Sequence, residues 1–590
     1  MKKISILLFA AVLAFSSCNL DRFPLDTLSE KDLFSSESGL LAYTNSFYSS
    51  IFAGGEDLYE DDADTYIRDA GRSEYLNTTR ITPASGGGWS FTALRKFNTL
   101  LDNIDEYCTD PDVCTYYTGV ARFFRGYYYA LMVERFGDVP WYEHELGSDD
   151  PDLYKARDSR EVVMRHVIED LDFAAKYLKG SRSVYTITKW TALAVKSRVC
   201  LYEGTFRKYH GIEGWEDYLK ECMDASKTLI DEGGYSIYAT SDINSCYRDL
   251  FSPVTSDGKT IHYEGSAQAS EIILARNYNS AYGQTHSANF DKLAAGKGRL
   301  SMTRKFVASY LMQDGSRFTD KAGWETMMFD KECQNRDPRL AQSMRTPGYM
   351  RIGESNKDAI TFSSTVTGYI PTKYVLSKSY DDTGKNDNDL ILFRLPEILL
   401  NWIEAKAELG ETITDTDLDY SINRIRDRVG MPHMTADVTV DPFLIDPEWG
   451  GYEHVSETNK AIILEIRRER AIELGQEGFR WDDILRWGEG QVYTKRMYGM
   501  YFPGVGEYDL DGDGANDVCL YKGTAPSTSA ANLLEITSTW RLSNDDSGML
   551  EPRKGNPGRW DENIDSLYPL PLQDLELNPN LTQNPGWDEQ

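Results

Sequence analysis

The stretch from Thr115 to Pro140, TYYTGVARFFRGYYYALMVERFGDVP, decides how the chain is read. Val120, Phe124, Tyr127 and Leu131 recur at helical spacing, and Tyr117, Ala121, Phe124, Tyr128 and Leu131 form a second row of the same period. Apolar surface therefore wraps much of the cylinder, and such a helix must be packed on several sides. Gly137 and then Pro140 end it, since glycine tolerates the turn at a helix terminus and proline cannot continue the hydrogen-bond ladder. Nothing in the stretch has catalytic spacing, so it reads as a central core helix.

Helical periodicity continues on both sides. Upstream, Ser29 is placed to cap a helix beginning near Lys31, and Ser90 to Tyr107 carries Leu94, Phe97, Leu100, Leu101 and Ile104. Downstream come Ser159 to Leu178, Lys189 to Phe206 and Tyr218 to Asp231. Helices arriving in antiparallel pairs through short connections suggest a scaffold of tetratricopeptide type, although periodicity without a visible repeat consensus establishes only an all-helical bundle. Gly54 to Gly88 is acidic, then polar, and closes on Gly86-Gly87-Gly88-Trp89, the texture of a loop. From Ser241 to Tyr380 only Thr303 to Met312 is clearly helical, which marks a loop-rich inserted lobe. Helices return at Leu390 to Leu409, Thr416 to Val429 and Asn459 to Gly475. The expected organisation is residues 1–17 as signal peptide, 18–240 as an N-terminal helical region, 241–380 as the lobe, and 381–590 completing the helical scaffold.

The start of the chain is built for export. Met1-Lys2-Lys3 precedes an apolar run from Ile4 to Phe15, too short for a permanent span, and Ser16-Ser17 stands before Cys18. A cysteine at that place predicts lipidation at Cys18, with the membrane reached through the lipid anchor; the alternative is an ordinary cleaved signal. The formal charge of −30 becomes −32 once Lys2 and Lys3 leave. A surface of that sign repels phosphate backbones, so nucleic acid is excluded as the expected partner and neutral ligands such as glycans fit better. Beyond Cys18, seven cysteines remain, an odd number. Cys108 and Cys114 flank a turn-rich loop and could bridge in an oxidising compartment. No cysteine and histidine grouping has zinc spacing.

Enzyme signatures are missing. The seven histidines are scattered, there is no G-x-S-x-G elbow and no phosphate-cradling glycine loop, and no stretch isolates two carboxylates in apolar surroundings. The expectation is therefore a non-catalytic protein. In LEIRRERAIELGQEGFRWDDILRW, Glu465, Glu469 and Glu473 recur every fourth residue with Arg467 near Glu473, which reads as a buried scaffold network rather than as ligand contact.

Aromatic residues make up 12% of the chain, and Trp and Tyr offer the flat apolar face with a polar edge that packs on a pyranose. Those in polar loops are the ligand-binding candidates: Tyr75, Trp89, Tyr278, Tyr282 and Trp324. Replacing Trp89 or Trp324 by Ala is expected to weaken glycan binding and to leave thermal unfolding nearly unchanged. One segment has metal-ligand spacing, YDLDGDGANDV from Tyr508 to Val518. Asp509, Asp511 and Asp513 alternate, Gly514 permits the turn, the Ala515 carbonyl is available, and Asp517 stands where a ninth loop ligand would, so the segment predicts a structural Ca²⁺ site. It departs from an EF-hand in having Leu520 at the twelfth position, and the alternative is a solvated acidic turn.

Four separated segments also resemble one family. FFRGYYYALMVERFGDVPWY, Gly430 to Pro432 after INRIRDR, ERAIELGQEGFRWDDILRWG (Glu469 to Gly488) and YPLPLQDLELNPNLTQNPGW (Tyr568 to Trp587) match, in order, the signatures of the SusD/RagB nutrient-uptake lipoproteins. The resemblance implies a mainly α, tetratricopeptide-like scaffold with a loop-rich lobe, and a ligand surface shaped by that lobe and by N-terminal loops. It implies a lipid-anchored protein of the outer membrane that binds nutrient, most simply a glycan, at the cell surface. The expected partner is a SusC-like TonB-dependent outer-membrane barrel over which the protein closes. The competing expectations are a peptide binder on the same fold and a surface glycan hydrolase.

Overall fold

The computed structural model describes residues 30–52, 63–68, 80–293, 298–358, 360–537, 539–556 and 558–588. The expectations at Cys18, Ser29 and Tyr75 lie outside the described residues. The main helices, in chain order, are α1 (Glu37–Ile51), α2 (Thr92–Tyr107), α3 (Pro111–Phe136), α4 (Arg160–Tyr177), α5 (Lys189–Tyr209), α6 (Trp215–Glu232), α7 (Arg304–Ser309), α8 (Leu395–Glu408), α9 (Asp415–Tyr420), α10 (Ile422–Asp427), α11 (Lys460–Leu474) and α12 (Arg480–Arg486). The strands are β1 (Tyr66–Ile67), β2 (Ile272–Arg276), β3 (Ser301–Met302), β4 (Leu390–Arg394), β5 (Tyr501–Phe502), β6 (Gly506–Tyr508), β7 (Val518–Tyr521), β8 (Asn532–Glu535) and β9 (Gly548–Met549).

Helix α3 is the centre of the scaffold. It begins earlier than its apolar rows imply, because Asp110 accepts from the Asp112 and Val113 amides and Pro111 takes the first turn, where its missing N–H costs nothing. It ends at Gly137 with φ 72°. Phe124, Tyr127 and Tyr128 are buried, but Leu131, assigned to both rows, is 37% exposed. Helix α4 packs on α3 at Gly126, where a Cβ would stand 3.1 Å from the Asp170 Cβ and 3.3 Å from the Val167 carbonyl oxygen. Asp170, buried at that contact, accepts from Arg122 Nε at 2.6 Å and Arg125 Nε at 2.7 Å. From α2 to α6 each helix packs on the next, then α6 on α8 and α8 on α11. Cys108 and Cys114 are disulfide-bonded across the turn between α2 and α3.

Two segments depart from the helical reading. Leu390–Arg394 is a strand and the helix starts only at Leu395: LILFR, paired with β2, is nearly all buried, Arg394 is the extended cap, and Pro396 sits in the first turn, where its missing N–H costs nothing. The helix expected over Thr416 to Val429 breaks at Ser421, whose hydroxyl donates to the Asp417 carbonyl at 2.6 Å in competition with the helix ladder. The charged helix runs from Lys460 to Leu474, capped by Asn459 and Gly475 as its sequence implies, and Gln476 and Gly478 take positive φ before α12.

The charged segment does form a buried network. Glu473 accepts from Arg394 Nη1 at 2.6 Å, Arg428 Nη1 at 2.9 Å and Arg339 Nη1 at 3.1 Å. Glu469 takes Arg339 and Arg426, Glu477 takes Arg394 and Lys373, Glu271 takes Arg394 and Arg428, and Asp337 takes Arg339. Five cations thus meet five carboxylates, and the cluster is neutral as a whole. Arg467 does not pair with Glu473; it reaches Glu489 at 3.2 Å, on the other side of the helix.

A second core joins the middle lobe to a late sheet that helical periodicity does not reveal. Phe306, Tyr310, Phe362 and Tyr369 pack with Phe502, Val518, Leu520 and Leu534. In that sheet β6 and β7 are antiparallel and β7 and β8 parallel.

Candidate ligand-binding site

Two short pairings bring distant residues to one hollow. β1 pairs antiparallel with β3, Ile67 opposite Ser301, which sets Arg68 beside the segment holding Arg299. After β8 the chain bridges Ile536 to Trp540, and Leu542 then pairs with Leu550, so Arg541 and Arg553 lie along a folded-back ribbon. The resulting pocket, 320 Å³, is lined by Trp540, Arg68, Arg299, Arg541 and Arg553, with Thr539 and Asn556 among its other polar groups. Its size is that of a small-ligand site. The Trp540 ring is seated edge-on against Phe362, centroids 5.6 Å apart, and the Arg299 guanidinium lies 5.5 Å from its centroid. Arg541 Nη1 donates to the Lys554 carbonyl, which fixes that arm to the ribbon. The pocket's carboxylate, Glu551, is already held by Arg496, with Nε at 2.7 Å. A flat indole face, hydroxyl and amide groups, and several fixed donors are the means by which a protein reads a sugar ring.

A larger hollow of 520 Å³ lies between α2, the segment after α3 and the C-terminal residues, walled by Trp89, Phe91, Tyr142, Leu577 and Leu581. Along its wall Arg95 Nε donates to Glu145 at 2.7 Å, and His144 meets Asp102 at 2.7 Å.

The aromatic residues singled out in the sequence do not share a surface. Trp89 lies at the larger hollow but is edge-packed on Phe91 and Phe136, with 7% of its surface exposed. Tyr278 is buried against His286, and its amide donates to Asp389 at 3.0 Å. Tyr282 is 82% exposed on the loop beyond it. Trp324 packs with Phe318, Phe443 and Trp449. Those contacts reverse one expectation: truncating buried Trp89 removes core packing, a loss that destabilises by about 3–5 kcal/mol, and truncating half-buried Trp324 costs part of that. The pocket at Trp540 was missed, although TSTWR carries the same sign that selected Trp324, an aromatic ring inside a polar stretch.

In the acidic loop, Asp509, Asp511 and Asp517 each offer a carboxylate oxygen within 4.8 Å of the others; Asp513 is outside that group. Asp513 instead accepts from the Ala515 amide at 2.8 Å. Burial raises the Asp509 carboxyl, but the amides of Gly514 and Gly512, at 2.8 and 2.7 Å, outweigh it and hold it below its ordinary value. Asp517 is pushed up by burial and then by the charges of Asp511 and Asp509.

With this geometry in place, the relatives are informative. A model described as the SusD family matches residues 270–587, more than half of the chain. The chain belongs to the SusD family. A second model, described as "Starch-binding associating with outer membrane", matches residues 88–201, which run from the loop at Trp89 into α5. The chain is similar to SusD-like protein P38 of Formosa agariphila, 25% identical over 420 residues, which are 67% of this chain and 70% of that protein. A SusD-like carbohydrate binding protein of Bacteroides fragilis superposes with a TM-score of 0.68 at 19% identity, covering 93% of this chain and 100% of the other. A second SusD-like protein of that organism gives 0.64 at 20% identity, covering 96% and 100%. At such identities the superpositions establish the fold. The mainly α, helix-pair scaffold with its loop-rich lobe is that of SusD-like proteins, as the four matched segments implied.

Proposed function

We propose that this SusD-family protein is a non-catalytic, cell-surface glycan-binding lipoprotein that passes its ligand to a TonB-dependent outer-membrane barrel. The observation that carries the reading is the Trp540 pocket: an indole face held by Phe362, with fixed hydrogen-bond donors around it. Membership of the family supports it, as does a similar protein whose name includes carbohydrate binding. Anchoring through lipid on Cys18 agrees with the described residues, among which no helix is long and apolar enough to cross a membrane. Binding screens of the full protein against glycans and peptides test the ligand class. Glycan binding that Trp540→Ala weakens is the expected result, and peptide binding alone overturns it. Co-purification of a tagged copy with a large outer-membrane protein tests the delivery step, and a protein recovered alone from mild detergent contradicts it.

A further inference from the structure

A second hollow of 320 Å³, sharing no lining residue with the pocket at Trp540, opens where two segments singled out in the sequence meet. Glu134 enters it from the end of α3 and Asp482 from α12. Phe52, Tyr127 and Leu131 are in its wall, and Leu131, 37% exposed, stands on its open side. Its guanidiniums have carboxylates of their own: Arg198 donates to Glu397 through Nε at 2.6 Å and Nη2 at 2.7 Å, Arg470 Nε to Asp483 at 2.8 Å, and Arg486 Nη2 to Glu404 at 2.9 Å. Glu477 is taken by Arg394 and Lys373. Among the described residues Glu134 and Asp482 have neither an ion pair nor a hydrogen bond. Tyr202, only 4% exposed, lines the same hollow, and its hydroxyl has no hydrogen-bond partner either. We infer that this hollow takes a small organic ammonium, its N–H donors on Glu134, Asp482 and the Tyr202 oxygen and its carbon body against Phe52 and Tyr127.

Carboxylates in a half-dry hollow need a positive partner, because burial strips away the water that would otherwise solvate them. Arg160 and Arg198 act on Glu134 from beyond ion-pair reach, but each is held by its own carboxylate, Glu203 and Glu397. Left without a partner, the two acids retain protons. Burial and then the Asp482 charge push Glu134 well above its ordinary value, and burial and then Asp483 push Asp482 up to about 7. A cation seated beside them favours the ionised forms and displaces those protons. Of the carboxylates that act on the Tyr202 hydroxyl, Glu134 is the strongest and Asp482 the next, so the three groups bear on one place. A primary ammonium has an N–H donor for each of them, whereas a hard divalent metal asks for about six oxygens. Phe52 and Tyr127, ring centroids 6.0 Å apart, give the carbon body an aromatic wall, and aromatic faces attract a cation as well.

Calorimetry on the full protein tests this with two ammonium probes, glucosamine and phenethylamine, with their neutral counterparts, glucose and 2-phenylethanol, and with CaCl₂. At least one ammonium should bind about ten-fold or more tighter than its neutral counterpart, and which one does so tells a sugar body from a hydrocarbon one. Binding should release protons, read as heats that differ between buffers of different ionisation enthalpy. Glu134→Gln and Asp482→Asn should each weaken ammonium binding about ten-fold or more and reduce the proton release, and Tyr202→Phe should weaken it less. Each carboxylate variant should melt no lower than the native protein, since it removes an unpaired charge from a place where burial makes that charge costly. Ammonium and neutral probes that bind alike, carboxylate variants that bind ammonium as the native protein does, or Ca²⁺ binding where both ammoniums are silent each overturn the inference. A melting midpoint that falls in both carboxylate variants overturns it too, because it would show the acids to be paired. Trp540→Ala should leave ammonium binding unchanged; loss of it there overturns this inference and leaves the glycan-binding reading to its own test.

Discussion

Replacing Glu473 by Gln removes one negative charge from a dry cluster and keeps its shape. In the native protein Glu473 is fully buried and accepts from three guanidiniums, those of Arg394, Arg428 and Arg339. Their remaining partners are Glu477, Glu271, Glu469 and Asp337, so the variant leaves five cations against four carboxylates. Breaking a buried pair in this way costs about 3–5 kcal/mol, because a charge is left uncompensated. Unfolding entropy is roughly 2 cal/mol/K per residue, so over a chain of this length the melting midpoint should fall by about 3–4 °C. The pH dependence has a definite sign. Burial raises the Glu473 carboxyl, but Arg428, Arg394 and Arg339 outweigh it and hold it at about 2 against an ordinary 4.5. Its contribution is complete above pH 4.5 and is lost as the pH falls towards 2, so the gap between native protein and variant should narrow over that range. Thermal unfolding followed by circular dichroism at neutral pH and at pH 3 measures both effects. A variant melting within about 1 °C of the native protein at neutral pH would refute the claim that the network is balanced.

Other outcomes follow from named contacts. Trp324→Ala should lower the melting midpoint through lost packing on Phe443 and Trp449, and unchanged melting would return Trp324 to the list of exposed platforms. Alkylation of the denatured, unreduced protein should spare Cys108 and Cys114 and label Cys200, Cys222, Cys246, Cys333 and Cys519; labelling of Cys108 would contradict the bridge. For the acidic loop we propose Ca²⁺ held by Asp509, Asp511 and Asp517, which would relieve the charge crowding that raises Asp517. Calorimetry should then give heat with the native protein and none with Asp511→Ala, and identical heats would leave the loop a solvated turn.

The helical half of the molecule was legible because its signal is local. The stop at Gly137 and the apolar rows of α3 are written within a few turns of chain, although the start at Asp110 was not read from them. Leu131 escaped the pattern because periodicity gives the angle of a residue on a helix and not the extent of its neighbours. The strand Leu390–Arg394 was read as helix since a short apolar run serves either state, and its partner β2 lies more than a hundred residues away. The binding pocket was hidden for the same reason. Arg68, Arg299 and Trp540 meet only through the β1 and β3 pairing and the late ribbon, and no window of sequence contains them together. The charged helix was read correctly as scaffold, but the partners of Glu473, which are Arg394, Arg428 and Arg339, come from other elements, and Arg467 reaches Glu489 rather than Glu473.

The central claim is that this protein holds a glycan at Trp540 without cutting it. Native affinity electrophoresis through gels containing polysaccharide, followed by sizing of the recovered polymer, measures both halves at once. The native protein should be retarded, Trp540→Ala should run nearly freely, and the polymer should keep its length. Equal retardation of the two proteins, or a shortened polymer, would contradict the account.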